Sequence, residues 1–179
     1  MPSTLGFALL GLVAREPATG YALAARLRDP VGYFWTARHS QIYPELARLE
    51  ADGLVTGEVI DGPGPRPTRR YEITADGSHA LATWLTSPLK PTPQRSEFLL
   101  RIFCFAQIGS PAARALVVAE RDQHAKRLAQ YEGFRAEYAD EPAVTEPRFG
   151  SFAALQAGLS YERHVVAYCD WLLERLPAD

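Results

Sequence analysis

The spacing of prolines constrains this chain more than any other feature, because proline ends helices or occupies their first turn. Two long stretches, 112–141 and 148–176, contain no proline and are predicted to form long helices. The segment 88–93 contains three prolines, which favour an extended connector. We therefore predict two domains, 1–87 and 94–179, joined by a connector over 88–93.

The first domain changes its apolar pattern partway along. Three successive segments show helical spacing, and the third begins near Ser40. Its apolar stripe consists of Ile42, Leu46 and Leu49. Short β-prone segments follow at 54–60 and 71–73, separated by the proline-rich stretch 61–68. With a further helix after them, the order predicts a winged helix-turn-helix: three helices, two strands around a wing, and a fourth helix.

The third helix begins with hydrogen-bonding side chains, which are Ser40, Gln41 and Tyr43. The first turn of a recognition helix enters the major groove, where Gln pairs with adenine and Ser bonds a base edge or a phosphate. Tyr43 offers its hydroxyl to a phosphate and its ring to a thymine methyl or a sugar. Pro44 is predicted in the first turn, where its missing N–H costs little. The alternative is a capped core helix that merely has a polar end.

The predicted wing is basic. Its three arginines are Arg66, Arg69 and Arg70, and no acidic residue lies between Asp61 and Glu72. Arginine on a protruding loop reaches phosphates or enters a narrow minor groove. The alternative is a loop whose arginines serve only solubility. Three more candidates for DNA contact are Arg38, His39 and Tyr21, although Tyr21 fits packing equally well.

The second half is predicted to be helical throughout. Apolar residues over 98–106 surround their helix and predict burial on most sides. The last helix has a heptad-like seam with one gap, filled by Glu162. This pattern suggests a dimerising arm, with an intramolecular three-helix bundle as the alternative. The candidate dimerisation residues are Phe152, Leu155, Leu159, Val166, Leu173 and Leu176.

Charge and composition narrow the function classes. The formal net charge is −2, so any contact with nucleic acid has to come from a local patch. Neither cysteine belongs to a CxxC, no histidine pair has metal-ligand spacing, and no Gly-rich phosphate loop is present. We predict that His124 and His164 are solvated, and that Cys104 and Cys169 are small core residues. The sequence therefore predicts neither a catalytic nor a metal site, and no cofactor.

The chain contains no apolar stretch that approaches about 18 residues, and its N-terminus lacks the basic region of a signal peptide. We therefore expect a cytoplasmic protein that does not enter a membrane.

Several segments resemble the PadR family of bacterial transcriptional regulators. The block 35–55 (WTARHSQIYPELARLEADGLV) looks like the family's recognition-helix signature, and 10–23 resembles its first two helices. The segment 69–77 (RRYEITADG) looks like its second wing strand and turn. The second half, through 97–103 and 161–172, looks like the C-terminal helical domain of the longer subgroup, which includes the phenolic-acid repressor and the virulence-gene activator.

This resemblance implies a homodimer whose two winged helices read a palindromic DNA site, with the C-terminal helices interlocked. We accordingly predict a sequence-specific DNA-binding regulator, most simply a repressor. The aromatic-rich second half fits a packed core or an apolar pocket, so a small aromatic or apolar effector is a further hypothesis. The alternative function is a winged-helix interaction module that has lost DNA binding.

Overall fold

The chain is mainly helical, with one small antiparallel sheet, as its sequence predicts. The computed structural model describes residues 1–28, 38–61, 68–89 and 95–177. Its contacts divide the chain into two compact units, Met1–Lys90 and Pro91–Asp179. The predicted connector over 88–93 lies largely outside the described residues, so its extended form remains a prediction.

The first unit contains four helices and three strands over its described residues. They are α1 (Thr4–Arg15), β1 (Ala18–Thr19), α2 (Gly20–Arg28), α3 (His39–Ala51), β2 (Val55–Ile60), β3 (Thr68–Ile73) and α4 (Ala75–Thr86). This is the predicted order of a winged helix-turn-helix with one addition, the strand β1. The sequence does not predict β1, because two residues are too few to show an alternating pattern.

Short polar side chains and one glycine set the ends of these helices. Ser3, Thr19 and Thr74 each accept a hydrogen bond through the side-chain oxygen from the backbone N–H three residues later, at 3.0–3.2 Å. Such bonds satisfy N–H groups that have no partner within the helix. Gly53, with a φ of 72°, occupies the left-handed region after α3 and turns the chain into β2.

β3 lies at the centre of the sheet, whose strand order is β1–β3–β2. On one side Ile73 pairs with Val55 of β2, and on the other Tyr71 pairs with Ala18 of β1. Since side chains alternate along a strand, Tyr71 and Ile73 face the same side, and Tyr71 is buried there. The strand β1 therefore ties the start of α2 to the wing strands.

The core of the first unit is apolar and draws on its helices and its sheet. Its most deeply buried side chains include Leu9, Leu10, Leu23, Leu46, Leu49 and Val55. The rings of Phe7 and Trp84 stack with centroids 4.7 Å apart, which joins α1 to α4. The predicted stripe of α3 is confirmed by the burial of Ile42 with two of these leucines. Burial of that stripe turns the opposite face of α3 to solvent.

The second unit is a pair of long helices preceded by a short one. Its elements are α5 (Glu97–Phe103), a 3₁₀ turn (Phe105–Gln107), α6 (Ser110–Ala136) and α7 (Phe149–Arg175). The helices α6 and α7 pack along each other around Val117, Cys169 and Leu172. Arg114 donates to the carbonyl oxygens of Leu173 and Leu176 at 2.8 Å, which satisfies acceptors at the end of α7.

The prediction that residues 98–106 are buried on most sides is wrong for the single chain that the structure describes. No residue of α5 is buried, and Phe103 and Leu100 are 87% and 63% exposed. One side of α5 is covered, because Phe98 and Ile102 pack against the core of α6 and α7. The other side leaves apolar groups in solvent.

The prediction of a solvated His124 is also wrong. His124 is buried, and its Nδ1 lies 2.5 Å from Oε2 of Glu162, which is itself buried. Arg127 donates through Nε to the other carboxylate oxygen at 3.2 Å. The gap in the apolar seam of α7 is thus filled by a carboxylate whose hydrogen bonds are supplied by α6.

The two cysteines differ. Cys169 is buried in the α6–α7 core as predicted, whereas Cys104 is exposed just after α5, so the prediction for Cys104 is wrong. None of the helices in the described residues is long and apolar enough to cross a membrane.

Candidate nucleic-acid interface

The start of α3 presents polar side chains on a helix whose other face is core. Ser40, Gln41 and Pro44 are exposed, and Tyr43 is 44% exposed. Arg38 and His39, just before them, are exposed as well. The structure therefore places the predicted residues of this segment together at one solvent-facing helix end. The partial positive charge of a helix N-terminus favours an anionic partner there.

One of the two polar groups of the Gln41 side chain, its carbonyl oxygen, already accepts a hydrogen bond. Its Oε1 accepts a hydrogen bond from the backbone N–H of Arg38 at 3.2 Å, which closes the first turn of α3. This bond fixes the side chain at the helix start and leaves one lone pair of Oε1 for a further donor. The amide nitrogen adds two N–H donors, so Gln41 keeps the acceptor and donor that an adenine edge requires.

Pro44 is the sixth residue of α3, not a first-turn residue as predicted. The helix begins at His39, one residue earlier than the sequence suggests. Because proline has no N–H, it cannot donate to the carbonyl oxygen of Ser40 in the helical ladder. The exposed end of α3 therefore lacks one of its helical hydrogen bonds.

Tyr43 packs against the start of α2. A Cβ atom built at Gly20 would lie 2.8 Å from Cε1 of Tyr43, so the two groups meet closely. The rings of His39 and Tyr43 meet edge to face with centroids 5.4 Å apart. Tyr21, the next residue of α2, is 77% exposed and does not take part in the core. The starts of α2 and α3 thus lie side by side.

The wing arginines differ in their surroundings. Arg66 lies outside the described residues. Arg69 and Arg70 are successive residues of β3, so they point to opposite faces of the sheet. Nη2 of Arg69 donates to Oε1 of Glu50 at 2.6 Å and to the carbonyl oxygen of Gly57 at 3.2 Å. The side chain of Arg70 is exposed and forms no ion pair with the described residues.

Tyr71 lies near the same groups. Burial raises the pKa of its phenol, Arg69 nearby lowers it in part, and the Glu50 carboxylate adds to the rise. Tyr71 therefore stays neutral at physiological pH and serves as a packing group in the core of the first unit.

Glu45 and Glu50 of α3 are structural residues that the sequence analysis missed. Glu45 is buried and accepts a hydrogen bond from Oγ of Ser3 at 2.7 Å, while Arg48 pairs with its other oxygen at 2.8 Å. The spacing of Glu45 and Arg48 is visible in the sequence as a helical ion pair. The contact with Ser3 is not, because the two residues are 42 positions apart.

The predicted dimerisation residues fall into two groups. Phe152 and Leu159 are buried within the second unit, and the Phe152 ring lies 5.0 Å below the guanidinium of Arg135 in α6. The remaining four are only half-buried; they are Leu155, Val166, Leu173 and Leu176. The seam therefore packs in part inside the chain, as the alternative of an intramolecular bundle predicts for those two positions.

The second unit has an open groove of about 650 Å³ between α5 and α6. It is lined by Ser96, Glu97, Phe98, Arg101, Leu116, Ala119, Glu120 and Gln123.

Among the residues the structure describes, no three His, Cys, Asp or Glu side chains come close enough to hold a metal ion.

Two sequence models of protein families match the chain. The model described as "Transcriptional regulator PadR-like family" matches residues 9–83, and the one described as "Virulence activator alpha C-term" matches residues 94–177. The first match lies within the first unit and the second within the second unit. Together they account for nearly the whole chain.

The chain is similar to the negative transcriptional regulator PadR of Bacillus subtilis, with 28% identity over 183 residues and 98% of each protein covered. A crystal structure of Bacillus subtilis PadR in complex with operator DNA matches with a TM-score of 0.90 and 25% identity, covering 98% of this chain and 100% of that one. A crystal structure of the same protein with p-coumaric acid matches with a TM-score of 0.85 and 25% identity, covering 97% and 99%.

Proposed function

The chain belongs to the PadR-like family of transcriptional regulators, and on that premise we propose that it is a homodimeric repressor of a pseudo-palindromic DNA operator. Members of this family are regulators rather than enzymes. We further propose that a small aromatic effector controls its binding to DNA, and that it acts in the cytoplasm.

The observation that carries DNA binding is the start of α3. A helix that buries an apolar stripe places Ser40, Gln41 and Tyr43 on its open end, next to the start of α2. Side chains at this end of a recognition helix contact base edges in the major groove. The relative from Bacillus subtilis was crystallised with operator DNA, and its chain matches this one over almost all of its length.

The second unit supports a dimer. Leu99, Leu100 and Phe103 leave one side of α5 apolar and exposed, although a helix that is apolar all round is normally buried. A second copy covering this side, together with the half-buried positions of α7, would account for the pattern. Two recognition helices in such a dimer would read half-sites about 34 Å apart.

The small-molecule part of the proposal has its own support. The relative from Bacillus subtilis was crystallised with p-coumaric acid, an aromatic carboxylic acid. The groove between α5 and α6 offers the ring of Phe98 to an aromatic ligand and the guanidinium of Arg101 to its carboxylate, beside the carboxylates of Glu97 and Glu120. Arg101 is paired with Glu97 at 2.5 Å, so an acid would exchange one carboxylate partner for another. The effector would act by favouring a dimer geometry that no longer fits the operator.

Selection of bound fragments from genomic DNA, followed by fluorescence anisotropy on the enriched fragment, tests DNA binding. We expect a pseudo-palindrome, and affinity that falls steeply as salt rises from about 50 to 200 mM. Gln41→Ala should cost about 1–3 kcal/mol of discrimination at one base pair in each half-site. His79→Ala, at an exposed position of α4, is the control and should bind as the wild type does. Binding without any preferred sequence would contradict the proposal and favour an interaction module.

A further inference from the structure

The two described arginines of the wing are not equivalent. Arg69 is held by Glu50 of α3, whereas Arg70 has no ion-pair partner among the described residues. An arginine that is already paired with a carboxylate attracts a phosphate less strongly than an unpaired arginine does. The ion pair between Glu50 and Arg69 is therefore better explained by a structural role than by DNA contact.

Glu50 joins one turn of α3 to both strands of the wing. Its Oε1 accepts Nη2 of Arg69 in β3 at 2.6 Å and the backbone N–H of Gly57 in β2 at 3.2 Å. Arg69 in turn donates to the carbonyl oxygen of Gly57 at 3.2 Å. The three residues form a closed set of hydrogen bonds, in which the Glu50 side chain is 26% exposed.

Gly57 is the residue that permits this approach. A Cβ atom at position 57 would lie 2.7 Å from Oε1 of Glu50 and 3.1 Å from Nε of Arg69, both shorter than normal contacts. Its φ is not in the left-handed region, which among the described residues only Gly53 occupies. The requirement at position 57 is therefore one of space around the carboxylate, not of backbone conformation.

We propose that Glu50 is a positioning residue for DNA binding, which fixes the wing strands relative to the recognition helix through Arg69 and Gly57. Arg69 acts through Glu50, and Arg70 is the residue of this pair that contacts phosphate. The inference rests on the proposed DNA-binding function and assigns roles within that site. It follows that the wing can be displaced without removing any charge from it.

The test compares operator affinity and its salt dependence for single variants of the full-length protein. Glu50→Ala and Gly57→Ala should each weaken binding roughly tenfold, and the slope of log K against log salt should stay unchanged in Gly57→Ala. Gly57→Ala keeps every charge, so electrostatics cannot cause its effect. Arg70→Ala should lower the slope by about 0.9, as expected for one lost phosphate contact.

Two further variants separate positioning from direct contact. Arg69→Ala should weaken binding without changing the slope, and the double variant with Glu50→Ala should be no weaker than either single one. Glu50→Gln keeps an oxygen acceptor for both donors and should restore part of the affinity. Gly11→Ala is the matched control, because a Cβ at that position meets open space.

Circular dichroism at the assay temperature must show that each variant is folded. If Glu50→Ala is unfolded, the two single variants Glu50→Gln and Gly57→Ala carry the test. Wild-type affinity for Glu50→Ala and Gly57→Ala would overturn the inference. A reduced salt slope for Arg69→Ala would also overturn it, by making Arg69 a phosphate ligand. If the wild type shows no preferred site, the proposed function itself fails, which this series distinguishes from failure of the inference alone.

Discussion

Replacing Glu162 by alanine should destabilise the second unit strongly. The side chains of Glu162 and His124 are 5% and 6% exposed, and that of Arg127 is 33% exposed. Glu162 forms its ion pair with Arg127, and removing one partner of a buried ion pair costs about 3–5 kcal/mol. In this case His124 also stays buried without its hydrogen-bond partner. Arg127 is partly open to water, and Glu120 lies 3.3 Å from Nε2 of His124. We therefore expect the lower end of that range, about 3 kcal/mol.

Removing both buried partners should cost less than removing one. In the double variant Glu162→Leu with His124→Leu, two apolar side chains replace the pair, and Arg127 and Glu120 retain access to water. Replacement of a buried pair by packed apolar residues is often close to neutral, so we expect a loss of about 1 kcal/mol or less. A smaller loss of stability in the double variant than in Glu162→Ala would show that the loss in Glu162→Ala comes from leaving a buried group unpaired.

Urea unfolding followed by circular dichroism, at one fixed protein concentration, measures both variants. The matched control is Arg163→Ala, which breaks the exposed pair between Arg163 and Glu132, also formed by α7 and α6 at 3.1 Å. Since both of its side chains are more than half exposed, we expect a change of about 0.5 kcal/mol or less. The reasoning would be refuted if Glu162→Ala lowered the free energy of unfolding no more than the control does. It would also be refuted if the double variant were less stable than the single variant Glu162→Ala.

Three further predictions concern packing and association. Gly77→Ala would place a Cβ 2.0 Å from a backbone carbonyl oxygen and should cost about 3 kcal/mol in urea unfolding, whereas Gly11→Ala, in open space within a helix, should stabilise by about 0.5–1 kcal/mol. Equal midpoints for the two variants would contradict this. Ser3→Ala removes both the cap of α1 and the bond to Glu45 and should cost about 2 kcal/mol by the same assay; a loss below that of an ordinary surface substitution would argue against it. Leu100→Glu should raise the dimer dissociation constant at least roughly tenfold in analytical ultracentrifugation, and an unchanged constant would remove α5 from the dimer interface.

Local patterns predicted the parts of the fold that local physics determines. The stripe of Ile42, Leu46 and Leu49 is buried because residues three and four apart share a helix face. This stripe, with the order of the elements, was enough to predict the winged helix and the open end of α3.

The features that the sequence did not predict depend on partners distant in the chain. His124 lies on a helix with many polar residues, and only its contact with Glu162, 38 positions later, shows that it is buried. The roles of Glu50 and Gly57 likewise depend on hydrogen bonds from β2 and β3 to α3, which the sequence alone does not show. Burial of α5 was predicted from its composition, but a composition does not say which chain covers a helix. Among the residues that the structure describes, none covers the outer side of α5.

Hydroxyl-radical footprinting of the full-length protein on its selected DNA fragment tests the central claim most directly. The account predicts two protected segments related by two-fold symmetry, with centres about one helical turn apart, and loss of protection as salt increases. It also predicts that Gln41→Ala alters which sequences are protected while Arg70→Ala weakens protection on all of them. A single asymmetric footprint, or no protection at low salt, would contradict the account of a dimer that reads DNA through α3.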